Sequence, residues 1–560
     1  MRTPFVVTAR ALARSLAPML LLALLCGAER VHAHHTRPAP EPKRPPARRI
    51  TGLGGVHFEI SSRDTSAQSW FDQGLRLCYA FNHDEAIRAF ERAAAADSGL
   101  AIAYWGIAYA NGPNINLPMD AEHEARAREA LSFARARLAQ AAPRERDYVE
   151  ALGARYDSTA GPDRAARDRA YAEAMRLVQA RHPDDLDAAV LYADALMNLR
   201  PWQLWSLDGT AAPETPTILE RLESVLRRDP EHTGAIHFYI HAVEASPDPE
   251  RALAWAARLP ELTPNAGHLV HMPTHLMVLA GDYFESGRIN DRAAHSDREY
   301  LAAEGITGFY SAMYYNHNLH MAAYSYAMAG HYAEAMRAAR EVVAHASPQV
   351  HDMPMLELFT PSGILVQAKF RRWTEVLAVP APAARMPMTT AMWRFARGLA
   401  FAATGRPAEA EREARGFAAA RAALPADFYF GLNPGARVLA VADAYLSARL
   451  AEARGDRALA GERFRSAASA EDSLAYDEPP DWYVHPREAW AGLLLRAGDA
   501  RGAETVLREE LARRPRSGRA LFGLAEALER GGRALEARGV RARFERAWQH
   551  ADTPLRIEDL

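Results

Sequence analysis

A frame of ~34 residues returns along most of this 560-residue chain, and that period constrains the fold more than any other feature. Counted from Ala67, the residues Trp70, Gly74, Ala86, Phe90 and Ala93 stand at positions 4, 8, 20, 24 and 27. From Thr233 the frame places Ile236, Ala252, Leu259 and Pro264 at 4, 20, 27 and 32. From Gly267 it places Val270, Gly281, Tyr283 and Ala293 at 4, 15, 17 and 27, and from Asn316 it places Leu319, Gly330, Tyr332 and Ala335 at 4, 15, 17 and 20. Further units start near Ala391, Val441, Val484 and Gly518. A unit of this length is a helical hairpin that cannot bury its apolar face alone, so successive units must stack.

Each landmark has a physical reason. Small residues at 8 and 20 let paired helices approach, and large apolar residues at 4, 11 and 24 fill the seam between them. Glycine near 15 ends the first helix in a left-handed conformation, and proline at 32 stops the second. Abundant alanine, arginine, leucine and glutamate add helix propensity. The pattern resembles the tetratricopeptide repeat. The resemblance implies an all-α fold, an α-solenoid of stacked helix-turn-helix units wound as a right-handed superhelix. Stretches at 112–168, 201–217, 296–315, 347–390 and 418–440 fit the frame poorly and read as insertions.

The N-terminus carries an export signal. Arg2, Arg10 and Arg14 precede the apolar run Leu16–Leu25, which is too short to span a bilayer, and Val31-His32-Ala33 offers a small-x-small cleavage site after Ala33. Lipidation at Cys26 is the alternative, with bulky Leu24 and Leu25 against it. Residues 34–55 are Pro-rich and charged and read as a disordered linker. The repeats then divide into an N-terminal solenoid, 56–346, and a C-terminal one, 347–560. No other segment is apolar enough to cross a membrane. A net charge of −3 without a basic face argues against nucleic acid. After cleavage only Cys78 remains, which excludes an intramolecular disulfide and a cysteine-based metal site.

Phrases such as Phe81-Asn-His-Asp-Glu-Ala-Ile-Arg-Ala-Phe90, His271-Met-Pro-Thr-His275, Asn316-His-Asn-Leu-His320 and Glu478-Pro-Pro-Asp-Trp-Tyr resemble a family of exported bacterial tetratricopeptide-repeat proteins. That resemblance bears on fold and location only.

Seven histidines fall in phase with the repeat. His237 and His241 occupy positions 5 and 9; His268, His271 and His275 occupy 2, 5 and 9; His317 and His320 occupy 2 and 5. Glu244 (position 12), Asp194 and Tyr324 (both position 9) share the stripe, and Trp105 also sits at such a position. In tetratricopeptide solenoids this stripe lines the concave groove. Residues one helical turn apart share a face, so His-x-x-x-His at 237/241 and 271/275 presents two imidazoles together. A divalent transition metal (Zn, Cu, Fe or Mn) is one expectation. A polar wall for a protein, peptide or small ligand is another, and satisfied, partly buried histidines a third. Pro273 must either kink its helix or start it, which changes where His268, His271 and His275 aim.

The functional expectation is therefore an exported repeat protein that holds a ligand, protein or metal ion in a histidine-lined groove. The alternative is a metal-dependent enzyme, hydrolase or redox, with its site at 237–320. His-Glu-x-x-His, a Gly-rich phosphate loop and a serine nucleophile elbow are all missing. For Trp105, packing between units is the simpler reading. The loop from Glu478 to His485 reads as a connector, with a lid over the groove as its alternative.

Overall fold

A computed structural model describes residues 47–157 and 163–560. The signal segment 1–33, Cys26 and the first part of the Pro-rich segment lie outside the described residues. The chain is all-α, with strand confined, among the described residues, to the two-residue pairing of 429–430 with 433–434.

The repeat frame becomes antiparallel helix hairpins: Thr65–Tyr79 with His83–Ala96, Asn316–Met328 with Tyr332–Ala346, Pro387–Ala403 with Pro407–Ala422, Gly435–Ala453 with Arg457–Asp472, and Gly518–Arg530 with Ala534–Ala547. Asp64 caps the first helix by accepting from the Ser66 and Ala67 backbone N–H groups. The position-8 glycine works as its spacing implies, since a Cβ on Gly74 would lie 2.6 Å from the Phe90 ring. The position-15 glycines Gly281 and Gly330 adopt φ of 82° and 78°, the left-handed conformation that ends a helix at little steric cost. The helix ending at Ala346 packs against Ser362–Lys369, so the stack continues across 346/347.

Two irregular stretches place the site. Residues 47–60 form a strap rather than the disordered linker expected up to residue 55. The cause is an alternation hidden beside the prolines: Val56, Phe58 and Ile60 are buried while His57 and Glu59 face out. Each such burial contributes roughly 1.5–3 kcal/mol. The strap is pinned where Asn265 donates its backbone N–H to Gly52 O (3.1 Å) and its side-chain amide to Thr51 O (2.9 Å). Gly54, at φ 93°, passes so close to Thr233 that a Cβ would sit 2.7 Å from its methyl.

The second irregularity is Pro273. The helix Gly267–His271 stops and Pro273–Ala280 starts afresh, with Met272 at the junction. Proline supplies no N–H to the preceding turn and is pre-set for a first helical position.

Candidate metal centre

Four segments bring the histidines together. Helix Thr233–Val243 carries His237 and His241 one turn apart, and the broken pair Gly267–His271 and Pro273–Ala280 carries His268, His271 and His275. Helix Asn316–Met328 supplies His317 and follows a single π-helical turn, Ser311–Tyr315. The loop before Pro486 supplies Glu478 from far along the chain.

Six of the seven histidines form one buried cluster in two groups of three. In each group the ligand-type nitrogens lie within 4.8 Å of one another: His237, His241 and His268 in one, His271, His275 and His317 in the other. His268 Nε2 is 3.1 Å from His237 Nε2, His271 Nε2 is 2.6 Å from His275 Nε2, and His317 Nε2 is 3.1 Å from His271 Nε2. Only His317 is partly exposed.

The opposite ring nitrogens set the tautomers. His237 Nδ1 donates to Tyr79 O (2.7 Å). His271 Nδ1 donates to Asn290 Oδ1 (2.6 Å), whose amide is oriented because its Nδ2 donates to Ser286 O (2.9 Å). His241 Nδ1 donates to Glu244 Oε1 (2.8 Å) and His275 Nδ1 to Glu244 Oε2 (2.7 Å). In their neutral forms these four rings therefore all turn an Nε2 lone pair inward. Glu478 Oε2 also pairs with His275 Nδ1 (2.8 Å) and accepts from the Tyr476 hydroxyl (2.8 Å). A carbonyl or carboxylate behind the imidazole, present for these four of the six rings, is the outer arrangement that orients metal-ligating histidines.

Two lone pairs cannot face each other at 2.6 Å unaided. A shared proton and a metal ion are the two ways to join them. His271 Nε2 has one lone pair but two facing nitrogens, His275 and His317, so a single proton satisfies only one contact. Two bonds of about 2.1 Å at tetrahedral to square angles set ligand nitrogens ~3.0–3.4 Å apart. The 3.1 Å contacts match that spacing, and the 2.6 Å pair must open by a few tenths of an ångström.

The electrostatics suit neutral donors at four of the six rings. Burial, then neighbouring imidazoles, pushes His237, His268, His271 and His317 well below the usual histidine range. His275 runs the other way: burial opposes its charge, but Glu478 and Glu244 together raise it to about 10. Burial pushes Glu244 up, yet His241 and His275 outweigh it and hold it well below the carboxylate range. Glu478 is pushed up by burial and by the Glu244 charge. The grouping of His241, Glu244, His275 and Glu478 uses the Nδ1 atoms that already serve the carboxylates, so it reads as the outer support of the two triads.

The remaining expected residues lie elsewhere. His320 packs against Phe359 (5.4 Å) and Tyr483 (6.0 Å), outside both triads, and burial lowers it to about 3. Asp194 accepts from the Tyr109 hydroxyl (3.0 Å) and the Asn198 amide (2.9 Å), and burial raises it to about 6. Trp105 stacks on Tyr109 (5.4 Å) and meets Tyr148 edge-on. Tyr324 is buried edge-on to Tyr483 (5.2 Å). The stripe they share is not an open ligand surface here, because neighbouring elements cover it. Helix Pro143–Tyr156 covers Trp105, and the loop leading to His485 covers His320 and Tyr324.

Residues that sequence spacing missed include Glu478, Asn290 and the Tyr79 carbonyl. Two aromatic residues join them: Phe81, with ring centroids 4.5 Å from His237, 5.8 Å from His241 and 5.6 Å from His268, and Trp202, 5.6 Å from His241. Glu478 belongs to the loop read as a connector, and its contact with His275 is the lid-like alternative.

The fold and the site together define an all-α helical-repeat protein with a buried histidine cluster. No family model and no curated protein matches the chain. Similar solved structures include a human IFIT1 dimer with m7Gppp-AAAA, at 13% identity over 80% of this chain and 90% of that one, with a TM-score of 0.34. A Naa15/Naa10 assembly bound to HypK-THB is 12% identical over 86% and 76%, with a TM-score of 0.24. The APC/C hetero-tetramer Cut9-Hcn1 is 13% identical over 82% and 76%, with a TM-score of 0.29. Likeness at this level bears on no ligand or activity.

Proposed function

We propose that this chain is a metal-binding repeat protein whose stacked helices hold divalent first-row transition metal on imidazole nitrogen. The observation that carries the reading is the convergence of His271, His275 and His317 through Nε2, with Asn290 and Glu244 holding the opposite nitrogens. Imidazole-only donor sets suit zinc, copper, iron or nickel better than calcium or magnesium.

The test is elemental analysis of protein purified without chelators, beside His271→Gln/His275→Gln, followed by uptake from zinc, copper, iron and manganese. Stoichiometric metal that the double variant fails to hold is expected. A protein that neither carries nor takes up any of the four metals refutes the proposal and leaves the cluster as a buried hydrogen-bond network.

Export belongs to the same proposal, on the strength of the first 33 residues. Protein recovered from an extracytoplasmic fraction should begin at His34. Full-length chain confined to the cytosol would overturn that part.

A further inference from the structure

We infer that the cluster holds two ions in unequal settings: a closed one at His237, His241 and His268, and an accessible one at His271, His275 and His317, joined through Glu244. This rests on the metal-binding reading above.

One ion cannot serve both triads. Donors to a common ion with bonds of about 2.1 Å lie at most ~4.2 Å apart. Among the described residues the six imidazoles offer nitrogens within 4.8 Å of one another as two sets of three, not as one set of six. Glu244 stands between His241 Nδ1 and His275 Nδ1, so their Nε2 atoms point away from each other into separate groups. His241 Nε2 is buried with no hydrogen-bond partner, an unpaired lone pair inside the first triad.

The two settings differ in what surrounds them. All three histidines of the first triad are at most 3% exposed. Phe81 lies against all three rings, Trp202 meets His241 edge-on, and Tyr314 meets His268 at 4.7 Å. Phe81 and Trp202 adopt φ of 55° and 60°, and among the described residues only Arg371 shares that conformation outside glycine. A bulky residue held there costs about 1–3 kcal/mol and persists only where its surroundings impose it. Here the strained backbone places two aromatic walls on one triad.

The second triad has partly exposed His317 at its edge. A cavity of about 170 Å³, lined in part by Met321, Tyr476 and Glu478, reaches His275. An ion on three imidazoles keeps a coordination position for water or a small anion. The closed ion is structural and the accessible one exchanges ligands. Because Glu244 orients one histidine of each triad, it is a positioning residue for both.

The experiment uses the full chain stripped and reloaded with cobalt(II), followed by metal content, visible spectrum and azide titration. The wild type should hold two equivalents, of which one responds to azide. His237→Gln/His268→Gln should keep one responsive equivalent, and His271→Gln/His317→Gln one silent equivalent. Phe81→Gly keeps every histidine and places glycine where left-handed backbone suits it, so the silent site should become responsive. Glu244→Gln should weaken both sites by about 10–100-fold, the usual effect of losing an outer partner.

A wild type that holds only one equivalent, with none left in either double variant, overturns the two-ion inference and leaves metal binding standing. Two equivalents that both respond to azide in the wild type overturn the closed and accessible assignment. No cobalt in any protein overturns the metal reading itself. Far-UV circular dichroism of each variant keeps misfolding from passing as loss of a site.

Discussion

His271 and His275 face each other through Nε2 atoms 2.6 Å apart across the break that Pro273 makes in their helix. Their Nδ1 atoms are held from opposite sides, by Asn290 at 2.6 Å and Glu244 at 2.7 Å. Neither partner is near them in sequence, and both are needed for the two lone pairs to meet.

Asn290 should therefore govern metal affinity without touching metal. In Asn290→Leu, His271 loses the acceptor that fixes its tautomer, and zinc affinity in a competition titration should fall about 10–100-fold. Asn290→Asp keeps an acceptor at the same place and should retain affinity within about tenfold, on the same outer-partner logic. Equal, large losses in both would mean that the amide matters only for packing.

Glu478 ties the loop before Pro486 to His275. Breaking a buried ion pair by removing one partner costs about 3–5 kcal/mol, but Glu244 remains beside His275, so Glu478→Gln should lose only ~1–3 kcal/mol, closer to a charged hydrogen bond. Denaturant titration reads this directly, and limited proteolysis should cut the loop faster. A stability unchanged from wild type would show that the loop is held by its other contacts alone.

Asp297 should make stability fall as pH rises. Burial lifts its carboxyl to about 7, against the pull of the Tyr310 hydroxyl. In the unfolded chain it ionises near the ordinary value of 3.8. Between those limits the folded state binds the extra proton, so this contribution is whole below about pH 4 and lost by about pH 7. Its upper bound is on the order of 4 kcal/mol. In Asp297→Asn that slope should vanish because the amide does not titrate, and Asn318 Oδ1, which lacks a partner, can receive it if its own side chain turns. Melts at pH 5 and pH 8 decide it, and an unaltered pH difference in the variant would assign the slope to other groups.

Gly54 should be intolerant of a side chain. A methyl there would meet the Thr233 methyl at 2.7 Å while φ stays at 93°. Overpacking of this kind costs about 1–3 kcal/mol, and it falls on the first turn of the helix that carries His237 and His241. Gly54→Ala should lower the melting temperature and weaken metal retention together. Melting at the wild-type temperature would show that the strap is not seated on that helix.

Much of the fold and part of the site are legible in the amino-acid sequence. Helix hairpins follow from apolar and small residues at helical spacing, and Gly281 and Gly330 take the left-handed conformation their positions imply. The pair His237/His241 shares a face because one turn separates it, which is local geometry, whereas His271 and His275 meet across the break at Pro273. The same register does not bring His320, Asp194, Tyr324 or Trp105 to the triads, because spacing assigns a face and not what packs on it.

Sequence by itself determined the repeat, the helical register and a concentration of imidazole on one stripe. Tertiary structure alone decided which six histidines meet, that they divide into triads, and that Glu478, Asn290, Phe81 and Trp202 surround them beside the Glu244 that the stripe already carried. The reason is range. Helical periodicity is written within a few residues, whereas His275 meets Glu478 across some two hundred, and a contact of that span exists only once the intervening helices have stacked.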